Sequence, residues 1–232
     1  MSLHGRGFYS TLKPDALYPQ TILSMYKIAM LGHQGAGKGT QAELLSKKFG
    51  IPVIAPGDMY RREIELGTEL GKMAQGYVDQ GKLAPDELTN EIVKLRLEQP
   101  DCAKGFILDG FPRRINQLAI MEKLQELTHV FDIEINDEEA VRRLSGRRVC
   151  SKCGATYHVE SKPSKKEGIC DACGGRVETR KDDTPEAIRE RLDIYHRETR
   201  PVIAFYKEKG IVHEINGDQS IESVHADIMK VL

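Results

Sequence analysis

A short apolar run, Tyr26 to Leu31, opens the first part of the chain with a regular pattern of hydrophobic and polar positions. A glycine-rich turn follows, and residues 40–49 then place apolar side chains at helical spacing up to Gly50. A short apolar run next to a turn is typical of a buried strand, and a glycine after the last periodic residue is typical of a helix end. The pattern therefore predicts a strand, a loop and a helix in that order.

Four more short apolar runs alternate with segments of helical periodicity. Because parallel strands need long crossover connections, this alternation predicts a parallel sheet with helices on both faces. We therefore expect an α/β protein built on a doubly wound, parallel five-stranded sheet. The further strands are predicted at residues 52–55, 105–110, 130–135 and 211–215, and the helices near residues 58–66, 69–79, 85–97, 115–126, 137–144, 185–208 and 220–231.

Two segments interrupt this alternation. Residues 55–84 contain helical patterns without an apolar strand, and residues 146–183 contain paired cysteines, glycines and Tyr157 in a hairpin-like texture. Ligands of doubly wound sheets bind outside the carboxyl ends of the strands, so we expect both segments to be insertions over that edge. The expected division is a core of residues 26–54, 85–145 and 184–232, a helical insertion at residues 55–84, and a small β lid at residues 146–183.

Residues 1–25 have neither helical nor strand periodicity and mix glycine, proline and isolated aromatic residues. A secretory signal would need a continuous apolar region, which this segment lacks, and an organelle presequence would be richer in arginine. We expect a disordered leader.

The composition and charge exclude several classes of protein. Hydrophobic residues make up 40% and charged residues 30% of the 232 residues, which is typical of a globular protein in water. The longest nearly uncharged stretch, Ala16 to Tyr26, is shorter than the ~20 apolar residues that span a bilayer. The net charge of -1 gives no general attraction to nucleic acid or anionic lipid. We expect a cytoplasmic monomer that binds neither membranes nor nucleic acid.

A phosphate-binding loop is predicted where the first strand meets the first helix. Residues 32–40 read GHQGAGKGT, and glycines in this context let backbone N–H groups point at a phosphate. The helix N-terminus adds positive potential, and Lys38 can reach the terminal phosphates. The general pattern has Ser or Thr directly after the lysine, whereas here Gly39 precedes Thr40. The residues assigned to phosphate binding are Gly35, Ala36, Gly37, Lys38, Gly39 and Thr40.

Four of the five cysteines form two CxxC pairs with the spacing of a four-thiolate zinc site, Cys150-x2-Cys153-x16-Cys170-x2-Cys173. Four thiolates leave no open coordination position, so the expected zinc is structural. A lid of this size buries little core, and metal ligation would supply the missing folding energy. Disulfides, free thiols and iron stay open as alternatives. Paired thiols of this kind favour a reducing compartment.

Beyond these features, the sequence resembles the nucleoside monophosphate kinases, whose phosphate loop is typically GxxGxGKGT. The motifs that carry the resemblance follow the order and spacing of the adenylate kinase family over residues 26–232. It implies reversible phosphoryl transfer from MgATP to AMP, giving two ADP, with Mg²⁺ as cofactor and ATP, AMP and ADP as partners. Besides the loop, the motifs are GDMYR at 57–61, GKL at 81–83, DGFPR at 109–113 with Gln117, GRR at 146–148 and TRKDD at 179–183.

The resemblance also implies roles for individual side chains. Transfer between nucleotides brings phosphate anions together, so cations should dominate the site, and arginine binds phosphate oxygens in pairs. Catalytic roles are implied for Lys38, Arg113, Arg147, Arg180 and Arg191. ATP contacts are implied for the phosphate loop together with Arg143, Arg147 and Gln219. A water-mediated magnesium contact is implied for Asp109, and Asp182 and Asp183 would orient the arginines. AMP contacts are implied for Pro56, Arg61, Lys82, Leu83, Ala84, Gly110, Arg113, Gln117, Arg180 and Arg191. His33, His158 and His196 receive no role, because the acceptor phosphate is already ionised.

The acceptor pocket departs from the family pattern. Adenylate kinases usually have Ser-Thr before the Gly-Asp pair, and here Ala55 and Pro56 replace them. Two hydroxyls are missing and Pro56 lacks a backbone donor, so a less discriminating pocket is expected. A kinase of the same family that uses GTP, UMP or CMP therefore stays open. A second alternative is a different class of protein, a P-loop module whose zinc ribbon binds nucleic acid. Such a module normally carries surplus basic charge, and the net charge of -1 argues against it.

Overall fold

The computed structural model describes residues 26–232, and the predicted leader lies outside the described residues. Its strands are β1 (Tyr26–Gly32), β2 (Val53–Ile54), β3 (Gly105–Asp109), β4 (His129–Glu134), β5 (Arg147–Cys150), β6 (Thr156–His158), β7 (Val177–Thr179) and β8 (Val212–Asn216). Its helices are α1 (Lys38–Phe49), α2 (Pro56–Leu66), α3 (Glu69–Asp79), α4 (Asp86–Leu97), α5 (Ile115–Leu124), α6 (Asp137–Gly146), α7 (Pro185–Ile194), α8 (Arg200–Glu208) and α9 (Ile221–Met229).

Five strands form a parallel sheet in the order β2-β3-β1-β4-β8. Side chains of β1 alternate between two hydrophobic clusters, with Ile28 and Met30 in one and Ala29 and Leu31 in the other. A strand buried on both faces needs apolar residues at every position, which explains the continuous run in the sequence. The predicted α/β fold with a five-stranded parallel sheet is confirmed.

Two smaller units rise from this sheet. After β2, α2 packs against α3 around Tyr60 and Ala74, and the Tyr60 hydroxyl hydrogen bonds to Thr89 of α4 at 3.0 Å. After α6, the strands β6-β5-β7 form a second, antiparallel sheet. The core of this second sheet contains Cys150, Tyr157 and Cys170.

The single helix predicted at residues 185–208 is wrong in one respect. The segment Tyr195–Thr199, between α7 and α8, is a π-helical turn. Pro201 lacks an N–H, so the carbonyl of Arg197 cannot receive the usual α-helical bond, and the helix changes its winding before the proline. A π-turn adds a residue to one turn, and this places His196 differently from its position in a regular α-helix.

No helix among residues 26–232 combines the length and the apolar character needed to cross a bilayer.

Gly81 is the second residue after α3, and it provides a test of how the segment between α3 and α4 contacts α7. It has a φ of +72°, and an added Cβ would lie 2.5 Å from the carbonyl oxygen of Ala187. We expect Gly81→Ala to lower the free energy of unfolding by about 1–3 kcal/mol, through backbone strain and a steric clash. Urea unfolding measures the change.

Gly76 is the matched control, because it lies inside α3 and an added Cβ would meet nothing within 4 Å. Gly76→Ala should raise the free energy of unfolding by about 0.5–1 kcal/mol. Equal effects of the two substitutions would contradict the proposed contact.

Candidate active site

A cavity of about 900 Å³ lies at the carboxyl edge of the parallel sheet, between the core, the α2–α3 unit and the antiparallel sheet. It is lined by all residues assigned to catalysis, nucleotide binding or magnesium binding except Ala36, whose side chain is buried in the core. Lysine and arginine outnumber aspartate and glutamate in the lining by more than two to one. The cavity is therefore suited to polyanionic ligands. The assigned residues in its lining are Gly35, Gly37, Lys38, Gly39, Thr40, Pro56, Arg61, Lys82, Leu83, Ala84, Asp109, Gly110, Arg113, Gln117, Arg143, Arg147, Arg180, Arg191 and Gln219.

The phosphate loop runs from the end of β1 to the start of α1. Gly32 has a φ of +113°, and a Cβ there would lie 2.2 Å from the carbonyl oxygen of Ile133 on the neighbouring strand. Gly37, at φ +93°, is the N-cap of α1 and supplies no side-chain cap. The first N–H groups of α1 therefore keep no side-chain partner from the cap, and they face the cavity as donors to an anion.

Lys38 and Asp109 lie close together at the base of this loop. The Lys38 ammonium donates to the carbonyl oxygen of Gly32 at 2.9 Å and to that of His33 at 2.5 Å. Burial lowers the pKa of Lys38 to about 8, and burial raises the pKa of Asp109. At Gly39, an added Cβ would lie 3.0 Å from the Asp109 carboxylate. This close approach explains why glycine rather than a hydroxyl residue follows the lysine.

Asp182 and Asp183 hold a cluster of arginines that come from different parts of the chain. Arg147 donates to Asp183 at 2.7 Å, and Arg180 donates to Asp182 at 2.9 Å. Arg191 of α7 bonds to both carboxylates, at 2.8 Å for Asp183. The Asp183 side chain is fully buried, so each carboxylate and its arginines form a desolvated ionic network. The predicted orienting contacts of the two aspartates are present.

The pKa values in this cluster reflect burial and neighbouring charge. Burial and the nearby guanidinium groups lower the pKa of Arg147 and of Arg113 to about 10. Burial alone would raise the pKa of Asp182, but the surrounding arginines lower it to about 2. The carboxylates therefore stay ionised, and the arginines gain further stabilisation from any anion that enters the cavity.

On the side of α2, Arg61 bonds to Asp58 and lies 3.5 Å from Asp182. Arg113 donates its Nε–H to the carbonyl oxygen of Gly110 at 2.6 Å. Pro56 begins α2, and its N-cap Ala55 has no side-chain cap hydrogen bond.

Gln117 lies beneath Arg113 and is almost completely buried. Its amide oxygen accepts from the Arg113 backbone N–H at 2.8 Å, and its amide nitrogen donates to Asp86 at 2.8 Å. One N–H and one oxygen lone pair of the amide remain for a further partner. Sequence analysis missed Asp86, since nothing in its local pattern separates it from the acidic first turn of a helix.

At the opposite end of the cavity, Arg143 donates to Glu139 at 2.5 Å and to the carbonyl oxygen of Gly217 at 3.0 Å. Gln219 bonds to Asp227 at 2.8 Å. Hydrogen bonds from Arg142 and Arg143 lower the pKa of Glu139 to about 2. Glu139 was also missed, although its spacing of four residues from Arg143 on one helix was a usable signal.

The four predicted cysteine ligands converge in the antiparallel sheet. Their sulfur atoms all lie within 4.8 Å of one another, with Cys150 and Cys173 at 3.5 Å and Cys153 and Cys170 at 3.6 Å. A tetrahedral zinc ion with Zn–S bonds of about 2.3 Å separates its sulfurs by about 3.8 Å. The cluster therefore fits such an ion.

Tyr157 forms two hydrogen bonds next to the cysteine cluster. Its hydroxyl donates to the sulfur of Cys170 at 3.3 Å and accepts from the backbone N–H of Asp171 at 2.8 Å. Partners of this kind orient the ligands of a metal site.

Comparisons with known proteins agree with this geometry. The sequence model of the family described as adenylate kinase matches residues 30–211. An adenylate kinase of Caldicellulosiruptor saccharolyticus is 48% identical over 211 residues, which cover 89% of this chain and 98% of that protein. That of Clostridium acetobutylicum is 48% identical with the same coverage, and that of Symbiobacterium thermophilum is 49% identical over 88% of this chain and 97% of its own length. The family match and these relatives, together with the cavity and the phosphate loop, show that the chain belongs to the adenylate kinase family.

Proposed function

We propose that this protein catalyses reversible transfer of the terminal phosphoryl group of ATP to AMP, giving two ADP. The observation that carries the proposal is the convergence of the phosphate loop and five arginines on one cavity. Within the part of the chain that the structure describes, these arginines pair only with aspartates and a backbone carbonyl. Such a ring can bring two polyanions end to end, because it offsets their mutual repulsion. The arginines are Arg61, Arg113, Arg147, Arg180 and Arg191.

The donor nucleotide takes the phosphate loop. Backbone N–H groups from Gly35 to Thr40 hold its phosphates, and Lys38 leaves its two carbonyl partners to reach the terminal phosphate. Arg143 and Gln219 border the end of the cavity where its base lies. Asp109 would hold Mg²⁺ through water, and the ion would neutralise phosphate charge when bound.

The acceptor nucleotide takes the opposite end of the cavity. Arg61 and Arg113 clamp its phosphate, and Gln117 offers its remaining donor and acceptor to the adenine. The negative charge of the phosphoryl group during transfer is stabilised by Arg147, Arg180 and Arg191. The base-binding surface is completed by Pro56, Lys82, Leu83, Ala84 and Gly110.

The two insertions of the proposed domain division, residues 55–84 and 146–183, close over the nucleotides. Closure excludes water, which would otherwise accept the phosphoryl group. The four thiolates hold a structural zinc ion in the lid, and their free state fits a reducing compartment such as the cytoplasm.

Activity with a panel of nucleotides tests the proposed reaction. Coupled assays with ATP or GTP as donor and AMP, UMP or CMP as acceptor should give the highest kcat/KM for ATP with AMP. A preference for another monophosphate would overturn the assignment of the acceptor site.

Substitution of one arginine tests the charge ring. Arg191→Ala should lower kcat by about 10²-fold or more, because it removes a guanidinium group that lines the cavity and that Asp182 and Asp183 hold in position. Arg189→Ala is the matched control on the same helix, since Arg189 is exposed and, among residues 26–232, pairs only with Glu186 and its own helix backbone. Arg189→Ala should stay within about twofold of the wild type. Similar losses in both variants would contradict the assigned role of Arg191.

The pKa of Lys38 predicts a pH dependence of ATP binding. Without nucleotide the pKa is about 8, and bound phosphates raise it. Below this value affinity is full, and one pH unit above it only about a tenth of the free protein keeps the proton, so affinity falls about tenfold. Calorimetry in buffers of different ionisation enthalpy should also detect proton uptake. Lys38→Arg should remove the pH dependence of ATP affinity, because arginine stays charged. An equally steep dependence in this variant would contradict the assignment of the dependence to Lys38.

Metal analysis tests the cysteine cluster. Purified protein should contain one zinc ion per chain, Cys170→Ser should lose it together with a fall in Tm, and Cys102→Ser should retain it. Cys102 is the matched control, because it lies outside the cluster and contacts Arg96. Full metal content in Cys170→Ser would exclude the four-thiolate site.

A further inference from the structure

Three side chains without a role in phosphoryl transfer meet behind the phosphate loop. His33 lies in the turn after β1, Asp137 is the first residue of α6, and His196 lies in the π-helical turn. The Nε2 atom of His33 lies 2.8 Å from the Asp137 Oδ1 atom, and the Nε2 atom of His196 lies 3.0 Å from the same oxygen. None of the three lines the nucleotide cavity.

The geometry of this cluster is that of a metal site with two imidazoles and one carboxylate. The three potential ligand atoms all lie within 4.8 Å of one another. Ligands at about 2.1 Å from an ion are separated by about 3.0–3.4 Å in octahedral or tetrahedral geometry, so small side-chain movements would suffice. Imidazole nitrogen selects first-row transition ions over Mg²⁺.

The surroundings of His33 fix the direction of its imidazole. The residue is 4% exposed, and its ring packs against the ring of Tyr195 with centroids 4.1 Å apart. Its Nδ1 atom has no hydrogen-bond partner within residues 26–232, so Nε2 is the nitrogen with a polar neighbour there. Packing rather than a second hydrogen bond therefore aims this nitrogen at the cluster.

The other two side chains leave the cluster open to water. The side chain of Asp137 is 47% exposed, and that of His196 is 37% exposed. An ion can therefore enter from solvent and complete its coordination with water, as in sites with three protein ligands. The Lys38 ammonium donates to the carbonyl oxygen of His33 and not to its ring.

We propose that His33, Asp137 and His196 form a binding site for a divalent transition-metal ion, separate from the cysteine cluster and from the nucleotide cavity. The ion ties the first turn of the phosphate loop to α6 and to the π-helical turn. The π-helical turn contributes to this site, because it contains His196, which contacts the same Asp137 carboxylate as His33. Ligation only in the folded state raises thermal stability, and above the Kd this stabilisation grows with the logarithm of the ion concentration.

Cobalt binding tests the proposal. Nucleotide-free protein with its cysteine cluster loaded with zinc is titrated with Co²⁺, followed by calorimetry, by Tm and by NMR of the imidazole protons. The thiolate-to-cobalt absorption band is recorded in parallel to detect any cobalt in the cysteine cluster. His196→Ala and Asp137→Ala remove the two exposed ligands, and circular dichroism without metal checks that each variant folds.

The control is His213→Ala. His129 and His213 are a second pair of neighbouring histidines, with ring centroids 5.6 Å apart, at the other end of the sheet. Both are partly buried, and they report cobalt binding by a neighbouring histidine pair without a shared carboxylate.

We expect one Co²⁺ ion in addition to the zinc, a higher Tm, and strongly shifted resonances from two imidazoles. Both ligand variants should weaken binding at least about tenfold, and His213→Ala should leave it unchanged. Absence of an additional ion, or equal affinity in the ligand variants, would overturn the proposal. Cobalt seen only through the thiolate band would overturn it as well, while leaving the kinase reaction untouched.

Discussion

Two buried carboxylates balance the mutual repulsion of the arginines around the cavity, and the site depends on that balance. Asp182 and Asp183 bind guanidinium groups from β5, from the segment before α7, and from α7 itself, and Asp182 also lies near Arg61 on α2. An arginine cluster without them would be costly to desolvate, since like charges would meet in a low-dielectric interior. The α2–α3 unit, the antiparallel sheet and α7 therefore meet at one ionic network.

The same network leaves the site ready for a nucleotide. The arginines make their hydrogen bonds to carboxylates through part of their donor set, and the planar guanidinium retains further N–H groups for phosphate. Lys38 is different, because it rests on backbone carbonyls and its pKa is lowered to about 8 by burial. In the proposed reaction, a phosphate that enters the loop would replace these neutral partners with a charged one. Arginines thus provide constant charge, whereas the lysine contributes a charge that depends on pH.

The glycines of the phosphate loop link this chemistry to the sheet. Gly32 touches the backbone of Ile133 on β4, and Gly39 approaches Asp109 at the end of β3. Any side chain at these points would push the loop away from the strand ends that carry the polar residues. The metal site proposed at His33, Asp137 and His196 lies on the reverse side of the same loop, so binding of an ion there and of a nucleotide in the cavity would act on one segment.

Much of this organisation is determined by the sequence itself. Continuous apolar runs such as residues 28–31 indicate strands buried on both faces, and the loop glycines and the cysteine pairs have spacings set by backbone and ligand geometry. Contacts between distant residues have no local pattern, so Asp86 beneath Gln117, Tyr157 beneath Cys170 and the meeting of His33 with His196 were decided by tertiary structure alone. The π-turn before Pro201 combines both levels: the proline removes a donor in the sequence, but only packing determines how the helix rewinds around it.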